Sequence, residues 1–323
     1  MSGTLRVLMM GTGRFAVPAF TALLESDHEV VGLVTQPDRV ARGGRKHRNP
    51  MKELAESNEL PVFQPESINT EESLARLREF NAELCVVAAY GQILSADVIN
   101  ACEKGCINLH ASLLPKYRGA APIQHAILRG ETETGVTIFQ IEPKLDAGLI
   151  LGVVKTDIGE DELYGELEER LSQLAAPLAV TVVNQIANDS TQPQMQDASA
   201  VTKARSIKKS LGLINWSKTM HEVHCHIRGT QPWPRPFTYL HRDEAKPARL
   251  LVLAVQPKLA NDEPPGKPGE ARAVDGAFWI SCSDGWLPVL TVQPEGKRPM
   301  PVADFLRGNA IPTGSYCGPE QAE

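Results

Sequence analysis

Short apolar runs alternate with helix-like patterns through roughly the first 180 residues of this 323-residue chain. The runs predict strands at residues 5–10, 30–35, 62–63, 84–89 and 106–110. The patterns between them predict helices at residues 16–26, 50–58, 71–80 and 96–101. Strands that alternate with helices are typical of a mostly parallel sheet with helices on both faces, because a parallel connection has to cross the sheet. The predicted fold class is therefore α/β.

The chain is long enough for two domains. Further elements are predicted at residues 120–128 (helix), 135–141 and 149–156 (strands) and 160–187 (helix), giving a first domain of residues 1–188. Residues 189–202 lack an apolar period and are interpreted as a linker. Short runs at 249–255, 277–281 and 287–292, separated by Gly and Pro, predict a small β-barrel-like domain at 203–318. Residues 319–323 are expected to be a disordered tail.

Polar residues follow two of the predicted strands. Asn108 and His110 end one apolar run, and Asp146 opens a glycine-bearing loop beyond the next. Successive side chains of a strand alternate between faces, so Asn108 and His110 point the same way. An amide and an imidazole side by side can hold a carbonyl oxygen, and a carboxylate can orient the imidazole or relay a proton. In parallel sheets, ligands bind beyond the carboxyl ends of the strands.

Composition excludes several classes of protein. The chain is 42% apolar and 22% charged, as in an ordinary soluble protein. No apolar stretch approaches the roughly 20 residues of a membrane span, and the first residues do not resemble a signal peptide, so a cytoplasmic location is expected. Six cysteines without a CxxC pair are interpreted as reduced thiols.

Charge is unevenly distributed in this chain of net charge −6. Residues 203–249 carry ten basic side chains and three acidic ones, and residues 39–48 carry five basic side chains and no acid. For either patch alone, the simpler interpretation is an ordinary solvated surface segment. Two such patches on an acidic protein favour a polyanionic partner.

Two other motifs have competing interpretations. The GTGRFA segment after the first strand fits a dinucleotide-binding turn, but no acidic residue ends the second strand to hold a ribose. An NADP site that binds a phosphate through Arg39 stays open, beside the simpler view that the glycines close a turn. The segment TMHEVHCHIRG contains histidines on a helical face, but its apolar stripe predicts a helix docked on a core, and no metal is expected.

The segment HASLLPKYRGAAPIQ, with Asn-x-His before it and LDAGLI some 30 residues later, resembles the 10-formyltetrahydrofolate-dependent formyltransferases. The segments GLVTQPDR, INW and PWPRPF are similar to the branch of that family that formylates methionyl-tRNA. The resemblance covers residues 5–316. It implies a Rossmann-like catalytic domain followed by a smaller OB-fold-like β-barrel domain that helps to hold tRNA.

The resemblance also implies roles for individual residues. The catalytic set would be Asn108, His110 and Asp146. The 10-formyltetrahydrofolate co-substrate would be held by Ala88, Ala89, Tyr90, Gly91, Gln92, Ile93, Ser112, Leu113, Leu114 and Pro115. Gly11 and Phe15 would line a substrate pocket. Initiator methionyl-tRNA would be bound by Arg39, Arg42, Arg45, Lys46, Arg48, Lys203, Arg205, Lys208, Lys209 and Arg235. A monomer without a metal or a membrane partner is expected.

Three alternatives compete with formylation of methionyl-tRNA. The same chemistry can serve another acceptor, such as glycinamide ribonucleotide, a sugar nucleotide or water. GTGRFA can belong to an NADP-dependent oxidoreductase. The chain can also be a tRNA-binding protein without activity, although the intact Asn108, His110 and Asp146 set argues against this.

Overall fold

The computed structural model describes residues 3–38, 49–243, 245–259 and 263–321. The chain divides into two compact units. The first unit comprises Met1–Pro122, Glu133–Asp157 and Glu166–Arg205, and the second unit comprises Ile123–Thr132, Ile158–Gly165 and Ser206–Glu323. The predicted basic loop at 39–48 lies outside the described residues.

The elements up to residue 204 follow the predicted alternation. Most of them belong to the first unit, whereas helix α5 falls almost entirely within the second. In chain order they are β1 (Arg6–Gly11), α1 (Val17–Leu24), β2 (Glu29–Val34), α2 (Pro50–Ser57), β3 (Val62–Phe63), α3 (Glu71–Glu79), β4 (Leu84–Ala88), α4 (Ala96–Ile99), β5 (Cys106–His110), β6 (Arg118–Gly119), α5 (Pro122–Leu128), β7 (Glu133–Gln140), β8 (Ile150–Asp157), α6 (Tyr164–Ala187) and β9 (Lys203–Ala204).

The first unit is built on a seven-stranded sheet in the order β3-β2-β1-β4-β5-β7-β8. The pairs from β3 to β5 are parallel, and β7 runs antiparallel to both β5 and β8. Every residue of β4 is buried, as expected for a strand covered on both faces. The predicted mostly parallel α/β sheet is confirmed.

Side-chain caps explain where two of the surrounding helices begin. Asn49 accepts hydrogen bonds from the backbone nitrogens of Met51 and Lys52 at the start of α2, and Pro50 occupies the first helical position. Thr70 caps α3 in the same way through the backbone nitrogen of Ser73. These caps fix the connections that bring successive strands back into the sheet.

The second unit is an antiparallel barrel. Its elements after residue 204 are α7 (Met220–Gly229), β10 (Phe237–His241), β11 (Ala248–Val255), β12 (Ala271–Val274), β13 (Ala277–Ser281), β14 (Trp286–Pro294), β15 (Met300–Pro301), α8 (Val302–Arg307) and β16 (Tyr316–Gly318). The strand order is β12-β13-β14-β11-β10-β16, with β15 on β14, and a bridge between Glu270 and Tyr316 nearly closes the ring. The predicted small β-barrel is thus confirmed.

The helix predicted from TMHEVHCHIRG packs on the barrel core, to which Val223 and Ile227 contribute. A capping box between Thr219 and Glu222 stabilises the N-terminus of this helix, α7. Within the described ranges, no group of three or more potential metal ligands is found. Among the described residues, every helix falls short of the length and apolarity that crossing a bilayer requires.

The segment predicted as a linker, residues 189–202, lies with the first unit. Gln194 forms an antiparallel bridge with Ile150, and β9 pairs with β6. We call residues 194–204 the strap. The strap runs along the loops that follow β5 and β7.

Candidate active site

Two titratable side chains approach each other at the end of β5. His110 is the last residue of that strand and is buried, and Asp146 lies in the loop between β7 and β8. The His110 Nδ1 and Asp146 Oδ2 atoms are 3.9 Å apart. This separation is too long for a direct hydrogen bond, yet short enough for the two groups to influence each other's charge. The structure therefore brings together these two members of the predicted catalytic set.

The surroundings of His110 favour the neutral ring. Its Nε2 lies 2.9 Å from the backbone carbonyl oxygen of Tyr117. Because a carbonyl only accepts hydrogen bonds, we assign the ring proton to Nε2, which leaves a lone pair on Nδ1. Burial lowers the pKa of His110 below its ordinary value of 6.5, while the Asp146 carboxylate and the Tyr117 carbonyl act in the opposite direction.

The backbone conformation of the loop explains why Asp146 is followed two residues later by a glycine, Gly148. Asp146 has a φ of 48°, in the left-handed region. Its Oδ2 accepts a hydrogen bond from the backbone nitrogen of Gly119 at 2.7 Å. A Cβ on Gly148 would lie 1.8 Å from the carbonyl oxygen of Gln140, so only glycine fits there. Within the described part of the chain, Asp146 Oδ1 makes no hydrogen bond.

Asn108 lies on the same face of the sheet as His110. It pairs directly with Phe139 of β7, and the Phe139 ring packs edge-on against His110 with ring centroids 6.3 Å apart. Asn108 is half-buried, and its side-chain amide makes no hydrogen bond to any other residue that the structure describes. A half-buried amide without a hydrogen-bond partner among the described residues can donate a hydrogen bond to a ligand.

The loop after β5 holds the carbonyl oxygen that binds His110. Ser112 is fully buried, and its hydroxyl donates to the carbonyl oxygen of Lys116 at 2.7 Å. The Thr137 hydroxyl donates to the Ser112 carbonyl and accepts from the backbone nitrogen of Leu114. The Leu114–Pro115 bond is cis. Of the predicted folate residues here, Ser112 and Leu114 are buried, whereas Leu113 and Pro115 are half-buried.

The second predicted folate segment, residues 88–93, follows β4. Ala89 and Gly91 have φ values of 49° and 85°, which turn the chain sharply. The Tyr90 ring packs in the core, and burial raises its pKa to about 12. Gln92 accepts a hydrogen bond from the backbone nitrogen of Ile68 and so fixes the turn. Ala88 is buried at the end of β4, and Ile93 is 78% exposed.

The predicted pocket residues Gly11 and Phe15 lie at and just after the end of β1. A Cβ on Gly11 would lie 2.7 Å from the Ala88 carbonyl oxygen, so the approach of β1 to β4 explains this glycine. Phe15 is buried. The neighbouring Thr12 hydroxyl accepts a hydrogen bond from the backbone nitrogen of Gln36, which ties the loops after β1 and β2 together.

The predicted tRNA-binding residues are only partly described. Four of them are exposed, namely Lys203, Arg205, Lys208 and Lys209. Arg235 is half-buried, with a φ of 76°, and its guanidinium donates to Gln293 Oε1. The remaining five lie outside the described residues, namely Arg39, Arg42, Arg45, Lys46 and Arg48.

Sequence reasoning missed two residues that contact the site. Gln196 binds the backbone of the Asp146 loop, and the Thr202 hydroxyl accepts a hydrogen bond from the backbone nitrogen of Tyr117 at 2.8 Å. Both lie in residues 189–202, whose lack of an apolar period predicts a linker. The only signal in the sequence was its content of Gln, Ser and Thr, which is also typical of a loop.

Two family models match the chain. A model described as formyl transferase matches residues 5–183, and one described as formyl transferase, C-terminal domain, matches residues 206–310. A methionyl-tRNA formyltransferase of Methylococcus capsulatus is 41% identical over 308 residues, covering 95% of this chain and 98% of the relative. Its counterpart in Symbiobacterium thermophilum is 38% identical over 321 residues, covering 98% and 97%.

Solved structures with the same fold include enzymes of other substrates. A sugar 3N-formyl transferase, solved with dTDP and 5-N-formyl-THF, has a TM-score of 0.65 at 19% identity and covers 91% of this chain and 99% of its own. An N-formyltransferase of Helicobacter canadensis, in complex with folinic acid and dTDP-3-aminofucose, has a TM-score of 0.64 at 18% identity, with coverages of 90% and 100%. Likeness at these identities supports the fold alone.

Proposed function

The chain belongs to the formyl transferase family, among the methionyl-tRNA formyltransferases, and on that basis we propose that it transfers a formyl group from 10-formyltetrahydrofolate to the amino group of initiator methionyl-tRNA. The product is N-formylmethionyl-tRNA, which serves translation initiation. The observation that carries this proposal is the close approach of the Asp146 carboxylate to His110 at the end of β5. It occurs in a chain that matches such relatives over nearly its whole length.

The residues at the end of β5 fit a formamide co-substrate. 10-Formyltetrahydrofolate would supply a formyl carbon whose oxygen gains negative charge when an amine attacks. The half-buried Asn108 amide, which has no hydrogen-bond partner among the described residues, suits that oxygen. A preorganised donor of this kind contributes roughly 3 kcal/mol to transition-state stabilisation. The turn at residues 88–93 and the loop at 112–115 are the proposed walls of the folate site.

His110 is proposed to accept the proton that the attacking amine releases. The tautomer assigned above leaves a lone pair on Nδ1, and burial keeps the ring neutral at pH 7. After protonation, the ring has the Tyr117 carbonyl on one side and the Asp146 carboxylate on the other, and both stabilise the positive charge. A methionyl α-amino group has a pKa of about 8 or below, so it needs little further activation.

Asp146 is proposed to orient the amine as well as to stabilise the imidazolium. Gly119 holds one carboxylate oxygen, Oδ2, whereas Oδ1 makes no hydrogen bond within the described ranges. An amine that binds Asp146 Oδ1 would lie close to His110 Nδ1. The same carboxylate can then relay the proton, through water, to N10 of tetrahydrofolate, which leaves as the bond between N10 and the formyl carbon breaks.

Binding of tRNA is proposed to rest on charge. The exposed Lys203, Arg205, Lys208 and Lys209 would contact phosphates, which position a nucleic acid without reading its sequence. Arg42 and Arg45 are our candidates for contacts at the end of the acceptor stem. Because its proposed substrate serves translation initiation, we propose a cytoplasmic location for the enzyme, and we expect it to act as a monomer.

The proposal is tested by a formylation assay with purified protein. Wild type is expected to formylate initiator methionyl-tRNA much faster than elongator methionyl-tRNA, and to leave amino-sugar nucleotides and glycinamide ribonucleotide unmodified. Formyl transfer to one of those small amines, and not to methionyl-tRNA, would overturn the proposal that methionyl-tRNA is the acceptor. Release of formate without any acceptor would identify a hydrolase. No transfer together with NADP binding, seen by cofactor fluorescence, would favour the oxidoreductase.

A further inference from the structure

We propose that the strap acts as a positioning device for the catalytic pair, with Gln196 and Thr202 holding the two backbone segments that flank His110. This inference rests on the proposed function. It assigns a role in the reaction to residues that lie outside every predicted site. All the contacts that support it lie within the first unit.

Gln196 holds the Asp146 loop from outside the sheet. Its Nε2 donates to the carbonyl oxygens of Asp146 at 3.0 Å and of Gly148 at 2.8 Å. These two carbonyls belong to the turn that carries the left-handed Asp146. Because such a backbone conformation costs about 1 kcal/mol or more, it persists only where neighbouring contacts hold it. Gln196 supplies two of those contacts.

The same glutamine connects the Asp146 loop to β6. Arg118 donates from Nε and Nη2 to Gln196 Oε1, at 3.1 and 2.6 Å. The residue after Arg118 is Gly119, whose backbone nitrogen binds the Asp146 carboxylate. A closed set of hydrogen bonds thus runs from Arg118 through Gln196 and Asp146 to Gly119. It fixes both the backbone and the side chain of Asp146.

Thr202 holds the other neighbour of His110. Its hydroxyl accepts a hydrogen bond from the Tyr117 backbone nitrogen at 2.8 Å, and its carbonyl oxygen accepts one from the Arg118 nitrogen at 2.9 Å. The Tyr117 carbonyl is the acceptor for His110 Nε2. β9 then continues the pairing with β6. The strap therefore reaches both groups that stabilise a protonated His110.

Gln196→Ala removes the two hydrogen bonds to the Asp146 turn, and Gln194→Ala is its matched control. Gln194 lies on the same strap and pairs through its backbone, and its side chain is exposed. We expect Gln196→Ala to lower kcat by roughly 10- to 100-fold with KM for both substrates nearly unchanged, because misplacement by about 1 Å has effects of this size. The control should retain the wild-type kcat.

A double-mutant cycle with Asp146→Asn separates positioning from other roles. If Gln196 acts through the Asp146 carboxylate, Gln196→Ala should change the single-turnover rate less than about 2-fold in the Asp146→Asn background. Equal losses in both backgrounds, or no loss in the wild-type background, would overturn the inference. Thr202→Val, which removes only the hydroxyl acceptor, is the second variant if Gln196→Ala does not fold, and a wild-type kcat for it would then overturn the inference.

A measurement without substrate distinguishes failure of this inference from failure of the proposed function. In an NMR titration, Gln196→Ala should lower the titration midpoint of His110, because a loosened Asp146 carboxylate supports the charged ring less. If wild type formylates no methionyl-tRNA but the midpoint still falls, the proposed function is wrong and the positioning role stands. An unchanged midpoint in a formylating enzyme would contradict the positioning role.

Discussion

At the scale of single residues, the chemistry proposed for this site depends on which nitrogen of His110 carries the lone pair. Burial favours the neutral ring, and the Tyr117 carbonyl holds the ring proton on Nε2, which leaves the lone pair on Nδ1. An exposed histidine would be partly charged near pH 6.5, and its charged fraction would have no lone pair with which to accept a proton. The Asp146 carboxylate offsets part of the burial effect, so the ring can still accept a proton during the reaction.

A histidine NMR titration tests this electrostatic assignment. We expect the His110 midpoint below 6.5 in wild type and lower still in Asp146→Asn, since the carboxylate raises the pKa of the ring. The His110→Gln spectrum identifies the signal. Because the unfolded chain binds this proton more readily, His110 should also reduce folding stability as the pH falls below about 6.5. A midpoint above 6.5 in wild type would contradict the neutral resting state.

At the scale of elements, the site depends on two short strands, β6 and β9. Gly119 has a φ of 127°, and a Cβ there would lie 2.4 Å from the Ala204 carbonyl oxygen. The pairing of β6 with β9 therefore requires glycine at this position. That pairing also holds the nitrogen that binds Asp146.

Gly119→Ala should consequently separate β6 from β9 and lower kcat by roughly 10-fold or more, as expected when a catalytic group is displaced. Gly276→Ala is the control, because Gly276 also has a positive φ of 77° but nothing lies within 4 Å of its added Cβ. The control should lose about 1 kcal/mol of unfolding free energy through backbone strain alone and keep its kcat. Urea unfolding and steady-state kinetics check both variants. Equal kcat values for the two would contradict the role of β6.

The regular elements were accessible from the sequence, and the strap was not. The strand predicted at residues 106–110 matches β5 residue for residue, because an apolar run bounded by glycine and polar residues is a strong local signal. Gln196 and Thr202 act through hydrogen bonds to residues about 50 and 85 positions away, such as Asp146 and Tyr117. No local pattern encodes contacts of that range. Similarly, nothing local indicates that α5 belongs with the second unit.

At the scale of the whole molecule, an acidic protein has to attract a polyanion. The chain carries a net charge of −6, so binding of tRNA depends on where its basic residues are concentrated. The exposed lysines after β9 and the basic segment 39–48 are the two candidates. Their contribution to the affinity for tRNA should weaken as the salt concentration rises, since phosphate contacts release the counterions that surround a nucleic acid.

Arg42→Ala and Arg45→Ala should each raise KM for methionyl-tRNA by roughly 10-fold. Each should also make the slope of log(kcat/KM) against log salt concentration shallower by about 1, as expected for the loss of one phosphate contact. KM for 10-formyltetrahydrofolate should not change. Arg78→Ala, an exposed arginine on α3, is the matched control. If the folate KM rose as much as the tRNA KM, the loop would belong to the co-substrate site instead.

The single-turnover rate of formyl transfer to initiator methionyl-tRNA, compared between wild type and His110→Ala at saturating substrates, tests the proposed catalysis most directly. We predict a fall of roughly 10³-fold, because the variant loses the proton acceptor beside Asp146. Its thermal unfolding midpoint should stay near that of wild type, which excludes loss of the fold as the cause. A His110→Ala rate close to wild type would contradict the assignment of catalysis to this strand end.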